Sequence, residues 1–353
     1  MHVVILVRTF PHEIRNGFDA YAGSLIKEYQ KEGLDFEVRT AKDERFVDDP
    51  KLSPIFYDLI YPMLGMLRRR KDRPVFHAIS ESQGLVFPFV QGKKVVTVHH
   101  INPLHLKLRD LYRPSTWYAL FWRYCTDVAI AHADQVICIS EQTKKELIDL
   151  YKIEEDKISV VSQAVADKFV EMPSLRKGRV VGYIGPFTTR KNIPALFQAF
   201  KRLHAMEDMR DVRLKICGSG PSGSVEEGMA DPELAGSIDF RGEVSEQRIV
   251  AEYNELAALL YPSMHEGFGL GILEAQRCGV PVFILRDAKI PAEVAKHAIR
   301  CDSPDDMAVK VALLLRGHLP YDRKAAMDHA STFSESARAK RTIAIYESVD
   351  KGP

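Results

Sequence analysis

Short apolar runs alternate with longer amphipathic stretches along the chain, the two periods expected of a parallel α/β protein. His2–Val7 is a continuous apolar run stopped by Arg8, as in a buried strand. The loop Thr9–Asn16 leads to Gly17 and a helical pattern from about Asp19 to Glu32. Gly33 stops that helix, and Phe36–Arg39 resumes as a strand. Val75–Ala78 and Lys94–His99 predict two more strands. Ser115–Ala133 predicts a helix carrying Trp117, Tyr118, Phe121, Trp122 and Tyr124, a stripe expected to face mostly into the core. Gln135–Ser140 is a strand running into a helix capped by Ser140, with Glu141 behind it. Lys157–Val161 closes this half.

Val170–Arg179, with Pro173, Ser174 and Gly178, reads as a polar linker, after which the plan restarts. Val180–Ile184 is a strand, followed by Gly185, a loop and a helix from Pro194. Leu214–Cys217 ends in Gly218–Ser219–Gly220–Pro221, and Ile238–Arg241 ends at Gly242. Glu246–Asn254 reads as a helix, Ala257–Tyr261 as a buried strand, Val282–Leu285 as another, and Ser336–Val349 as the last helix. The repeat is one of architecture, not of residues. The expected division is 1–170, a linker at 171–179, a second domain at 180–332, and a terminal helix within 333–353.

Composition narrows the class. With 353 residues, 46% hydrophobic and 27% charged, the chain suits two domains, and a net charge of +1 gives no general attraction to nucleic acid. Five scattered cysteines form no C-x-x-C pair, which argues for a reducing compartment and against structural zinc. The first strand is too short to span a membrane and lacks a cleavage pattern, so the expected location is cytoplasmic. Ile55–Leu67 followed by Arg68–Arg69–Arg70–Lys71 reads as a solvated helix end, with a weak peripheral contact to anionic lipid as the other reading.

The densest chemistry lies in Met264–Pro281, MHEGFGLGILEAQRCGVP. Strand, glycine loop and helix follow one another there, which aims backbone N–H groups at whatever sits over the helix N-terminus. Glu266 falls in the loop and Glu274 about one turn into the helix Leu270–Arg277, either able to accept from hydroxyl groups. Gly267 and Gly269 flank Phe268, as where backbone approaches a ligand. His99 and His100 end a strand at the edge where α/β folds place ligands. Thr189–Arg190–Lys191–Asn192 supplies cations after Gly185. No D-x-D pair lies in a suitable loop, so neither a metal nor a cofactor is called for.

This stretch resembles the E-x7-E motif of the retaining glycosyltransferases of family 4, the group 1 glycosyltransferases with a GT-B fold. The resemblance implies two Rossmann-like parallel-sheet domains facing across a cleft, with the last helix crossing back to the first domain. It implies a nucleotide-diphosphate sugar as donor, an acceptor of unidentified class (glycan, lipid or small molecule) and retention of anomeric configuration. The leaving phosphate usually serves as base in that family. By the same resemblance Glu266 and the backbone of Gly267, Phe268, Gly269, Leu270 and Gly271 hold the donor sugar, and Glu274 holds the ribose. Lys191 matches the lysine of G-R-x-x-x-x-K, which binds diphosphate, with Arg190 beside it, and Val244 matches a segment near the base. His99 matches the histidine of T-V-H-D that faces the sugar, and Gly17 the second glycine of a Gly-Gly pair. Glu266, His99 and Lys191 are the catalytic candidates.

Several positions depart from the family pattern. Pro186 stands where the arginine belongs, Gly271 where proline is usual, and His100 where aspartate is usual. Ser162–Gln163–Ala164–Val165–Ala166 lacks the usual glycine and aspartate. A GT-B phosphorylase or sugar-nucleotide epimerase, and a catalytically silent nucleotide-sugar-binding protein, remain the alternatives. Absence of a dinucleotide fingerprint argues against an NAD oxidoreductase.

Overall fold

A computed structural model describes residues 1–7, 17–40, 73–99, 114–220 and 223–352, with backbone alone at 17–20, 40 and 114–119. The chain divides into two compact units, one of Met1–Gln163 with Glu335–Pro353 and one of Ala164–Ser334. Each is built on a six-stranded sheet whose paired strands all run parallel.

The first unit has the order β2-β1-β3-β4-β5-β6, where β1 is Val3–Val7, β2 Phe36–Thr40, β3 Val75–Ala78, β4 Lys93–Val98, β5 Gln135–Cys138 and β6 Ile158–Val160. Its first strand shows why a continuous apolar run was needed. Val3, Ile5 and Val7 pack with the helices Gly17–Lys31 and Glu335–Lys351, while Val4 and Leu6 pack on the other face with Phe87, Val98 and Ala129. A strand covered on both sides has no polar positions to alternate with. The helix Glu335–Lys351 belongs to this unit, burying Arg338, Ala339, Thr342, Tyr346 and Val349 at helical spacing.

The helix Pro114–His132 corrects the expectation for its aromatic stripe. Among its described side chains the fully buried ones are Cys125 and Ala129, with Phe121 and Trp122 half-buried and Tyr124 exposed. The reason is close packing: a Cβ at Gly84 would lie 2.4 Å from the Cβ of Ala129, so only small residues fit that contact. The side chains of Trp117 and Tyr118 lie outside the described residues, as do Thr9–Asn16, His100 and the whole of 55–71.

The second unit has the order β12-β11-β10-β7-β8-β9. Here β7 is Val180–Ile184, β8 Arg213–Cys217, β9 Ile238–Gly242, β10 Ala258–Tyr261, β11 Val282–Leu285 and β12 Ile299–Cys301. The chain moves outward from β7 through β8 and β9, then returns to the other side of β7 at β10. That reversal makes a switch point between β7 and β10, the place where open α/β sheets bind ligands. The unit begins earlier than polar composition suggested. Phe169 is buried edge-on against Tyr253, Met172 N donates to Asn254 Oδ1, and Arg176 donates to the carbonyls of Cys278 (2.9 Å) and Gly279 (3.0 Å). Residues 164–179 therefore pack as part of the second unit, despite their polar look. Among the described residues, no helix is long and apolar enough to cross a membrane.

Candidate functional site

Two loops converge at the switch point of the second unit. The first leaves β7 at Gly185, whose carbonyl oxygen lies where a Cβ on Gly218 would be (1.9 Å). Glycine is required there, since any side chain would force the two strand ends apart. Gly185 N donates to Cys217 O and Phe187 N to Ser219 O, which ties the loop to the end of β8. A single turn, Thr189–Lys191, then ends at Asn192 in left-handed backbone (φ 54°) and launches the helix Ile193–His204. That turn exposes Arg190 and buries Lys191.

The second loop leaves β10 through Pro262 and reaches Gly269, whose φ of 104° turns the chain into the helix Leu270–Arg277. It is laced to its neighbours by backbone bonds: Met264 N to Arg190 O (2.9 Å), Lys289 N to Met264 O (2.8 Å) and Glu266 N to Lys289 O (2.9 Å).

Glu266 sits where the two loops meet, 5% exposed. Its Oε1 accepts from Lys191 Nζ (2.7 Å), Tyr261 OH (3.0 Å) and Ser263 Oγ (2.5 Å), and its Oε2 from Arg190 (2.6 Å). Lys191 Nζ also donates to Tyr261 OH (2.8 Å) and lies 4.7 Å from the centre of that ring. Burial pushes the Glu266 carboxyl up, but the Lys191 charge and hydrogen bond, with help from Ser263 and Arg190, leave it below the ordinary carboxylate value. Burial also holds the Lys191 ammonium below its usual value, partly offset by Glu266. The pair stays charged because each ion answers the desolvation of the other.

Glu274 is placed differently. It is half-buried on the helix, and its Oε2 accepts from Tyr253 OH (2.8 Å). Burial raises its pKa, only partly offset by that bond and by the charges of Lys168 and Lys191. Lys168 itself donates to the backbone oxygen (3.3 Å) and carboxylate (3.4 Å) of Glu246, two residues past Val244.

The structure thus brings Lys191, Arg190 and Glu266 into one cluster, with Gly267, Gly269, Leu270 and Gly271 in the connected loop and first helical turn. Phe268 turns its ring inward, edge-on to Phe333 at 5.9 Å, so only its backbone faces the loop side. Val244 is half-buried in the loop after β9. Pro186 is exposed, and its carbonyl accepts from Tyr183 OH (2.9 Å).

Gly17 and His99 belong to the first unit. Gly17 opens the helix Gly17–Lys31. His99 is buried; its Nε2 bonds the carbonyl of Ile79 (3.0 Å), which requires the proton on Nε2, and Tyr21 meets its ring edge-on at 4.8 Å. Sequence reasoning missed Tyr261, Ser263 and Tyr253. Tyr261 and Tyr253 look like core residues of a strand and a helix. Only the run Tyr261–Pro262–Ser263, ending three residues before Glu266 and with hydroxyls where an apolar strand ends, could have signalled the first two.

Comparison with known proteins agrees with this layout. A family model described as Glycosyl transferases group 1 matches residues 166–332, and one described as Glycosyltransferase Family 4 matches residues 15–169. The O-antigen chain mannosyltransferase RfbU of Salmonella typhimurium is 26% identical over 231 residues, covering 63% of this chain and 64% of that protein. A D-inositol 3-phosphate glycosyltransferase of Corynebacterium glutamicum is 28% identical over 248 residues, 64% of this chain and 59% of that one. The matches therefore span less than two thirds of these relatives' lengths. Among solved structures, sucrose-phosphate synthase from Thermosynechococcus elongatus has a TM-score of 0.76 at 16% identity, over 98% of both chains. Anabaena HepE in complex with UDP-glucose has a TM-score of 0.71 at 14% identity, over 98% of this chain and 99% of that one. At such identities the likeness is one of fold.

Proposed function

The chain belongs to the group 1 glycosyltransferases of family 4 and has their GT-B fold, and from that premise we propose that it moves a sugar from a nucleotide-diphosphate sugar to an acceptor hydroxyl, with retention and without a metal ion. The observation that carries the proposal is the Lys191–Arg190–Glu266 cluster at the switch point between β7 and β10. Departure of a nucleoside diphosphate builds negative charge on its terminal phosphate. Fixed cations and helix N–H groups aimed at that charge stabilise the transition state without reorganising. In this reading Lys191 and Arg190 take the diphosphate together with the first turn of the helix Leu270–Arg277.

Glu266 then aligns the donor sugar. A carboxylate already accepting from four donors acts as an acceptor and electrostatic anchor, not as a nucleophile. Arg190, exposed and joined to Glu266 by one nitrogen, is the partner positioned to exchange Glu266 for phosphate, while buried Lys191 stays. Glu274 accepts from the ribose. The roles of Val244, Gly17 and His99 rest on the family resemblance. A UDP-sugar is the first donor to try, since UDP-glucose is bound by the similarly folded HepE.

The test is a thermal-shift series with UDP, GDP and ADP and their hexose conjugates in a chelator, followed by NMR of the product anomer. Stabilisation by a diphosphate in the chelator, and a product with the donor's anomeric configuration, are expected. Stabilisation that returned only with magnesium or manganese would overturn the metal-free mechanism, and an inverted product would overturn retention.

A further inference from the structure

The reading of Glu274 as the ribose acceptor leaves one buried group beside it without a role. Tyr253, on the helix Ile249–Asn254, is 1% exposed, and the only partner its hydroxyl has among the described residues is Glu274 Oε2, at 2.8 Å. Phe169 braces the ring edge-on at 5.8 Å. Gly271 leaves the hydroxyl extra room: a Cβ there would lie 3.3 Å from the Tyr253 oxygen and 3.3 Å from the Tyr261 ring, close enough to crowd both.

We propose that Tyr253 is a positioning residue for nucleotide recognition: its hydroxyl occupies Oε2 of Glu274, locks the carboxylate in one rotamer and leaves Oε1 to accept from the ribose diol. This rests on the ribose role of Glu274. A tyrosine suits the task because its phenol stays protonated, held up by burial and the adjacent carboxylate, and so only donates here. A carboxylate fixed in this way loses little freedom when the ribose arrives, whereas an unbraced one would have to be ordered by the ligand.

The experiment measures affinities of UDP, GDP and ADP and of their 2′,3′-dideoxy counterparts for wild type, Tyr253→Phe, Glu274→Gln and Gly271→Ala. For whichever diphosphate binds, wild type should prefer the ribose form by roughly tenfold or more, the worth of one charge-assisted hydrogen bond. Tyr253→Phe should cut that preference to below about threefold while leaving the dideoxy affinity within about twofold, since the diphosphate contacts are untouched. Gly271→Ala, which keeps the tyrosine but crowds its hydroxyl, should give an intermediate preference, and it decides the matter if Tyr253→Phe does not fold. Loss of the preference in Glu274→Gln but not in Tyr253→Phe or Gly271→Ala overturns the positioning role alone. A preference that survives Glu274→Gln overturns the ribose role of Glu274 and this inference with it.

Discussion

Each sheet reverses direction beside the first strand of its unit, at β1 in one and β7 in the other, yet the two edges are filled in opposite ways. At the β7 edge, Lys191 and Glu266 are both about nineteen-twentieths buried and both charged, each the counter-ion of the other. The edge of the first unit also buries polar groups, but burial there pushes them toward their uncharged forms. Burial lowers the pKa of His77 to about 3, with a smaller contribution from His99, so the ring is uncharged; it bonds Tyr346 OH (2.5 Å) and Thr97 Oγ1 (2.8 Å). Glu81, 5% exposed after β3, is pushed up to about 7 by burial, against hydrogen bonds from its own backbone N–H and that of His99. Burial penalises charge in both places, and only a nearby opposite charge reverses the outcome. On the proposed function the charged edge is the one that meets the diphosphate, while the His77–Tyr346 contact of the other helps hold a core together.

Breaking the charged edge should have the largest effect. On the proposed function Lys191→Met removes a fixed donor from the leaving diphosphate, and it should lower turnover by roughly a hundred- to a thousandfold. It should also lower the melting temperature, because buried Glu266 loses its buried counter-ion and keeps the exposed Arg190 with the neutral donors Tyr261 and Ser263. A variant retaining full turnover at saturating donor would remove Lys191 from the mechanism.

Glu266→Gln keeps the shape and removes the charge. Turnover at saturating donor should fall by roughly ten- to a hundredfold, the value of a charge-assisted hydrogen bond felt only in the transition state. Nucleoside diphosphate affinity should change far less, as Arg190 and Lys191 remain. Equal losses in binding and turnover would reassign Glu266 to ground-state binding.

At the neutral edge, Tyr346→Phe should act on stability. It strands His77 Nδ1 and takes from Tyr29 OH its 2.7 Å partner, at a cost of roughly 1–3 kcal/mol in denaturant unfolding. Nucleotide affinity should be unchanged; a loss of affinity without loss of stability would contradict the division of labour.

The smallest expected effect is a slope. Glu81 binds its proton more tightly folded than unfolded, so its contribution is fully present below the unfolded carboxylate value and is lost as pH rises through about 7. Between pH 5.5 and 7.5 wild type should lose on the order of 1–2 kcal/mol from this source, and Glu81→Gln should flatten that part of the profile. Identical profiles would show that Glu81 does not titrate there.

Much of the charged edge was legible along the chain. Gly269 turning into a helix, Glu266 before the turn and Glu274 after it follow from residues adjacent to one another, and local turn and helix chemistry decides them. The resemblance to the family's G-R-x-x-x-x-K pointed to Lys191. The aromatic stripe was misread because its periodicity says only that one face is apolar; which face meets the core was decided by the fit of Ala129 against Gly84. The segment 170–179 reads as a linker, and 164–169 as the end of the first half, because their partners lie far along the chain, at Tyr253, Asn254, Cys278 and Gly279.

The sequence by itself determined the parallel α/β class, the succession of strands and helices along each half, and the placing of one carboxylate on a loop and another on a helix. Each of these depends on side-chain period and turn chemistry over a few neighbouring residues. The tertiary structure alone decided which groups meet and in what charge state. Lys191 reaches Glu266 across 75 residues of sequence because β10 returns to the side of β7, and Tyr253 reaches Glu274 across 21. A charge survives burial only when its counter-ion arrives within hydrogen-bond distance, and that distance is a property of the folded sheet, not of the chain.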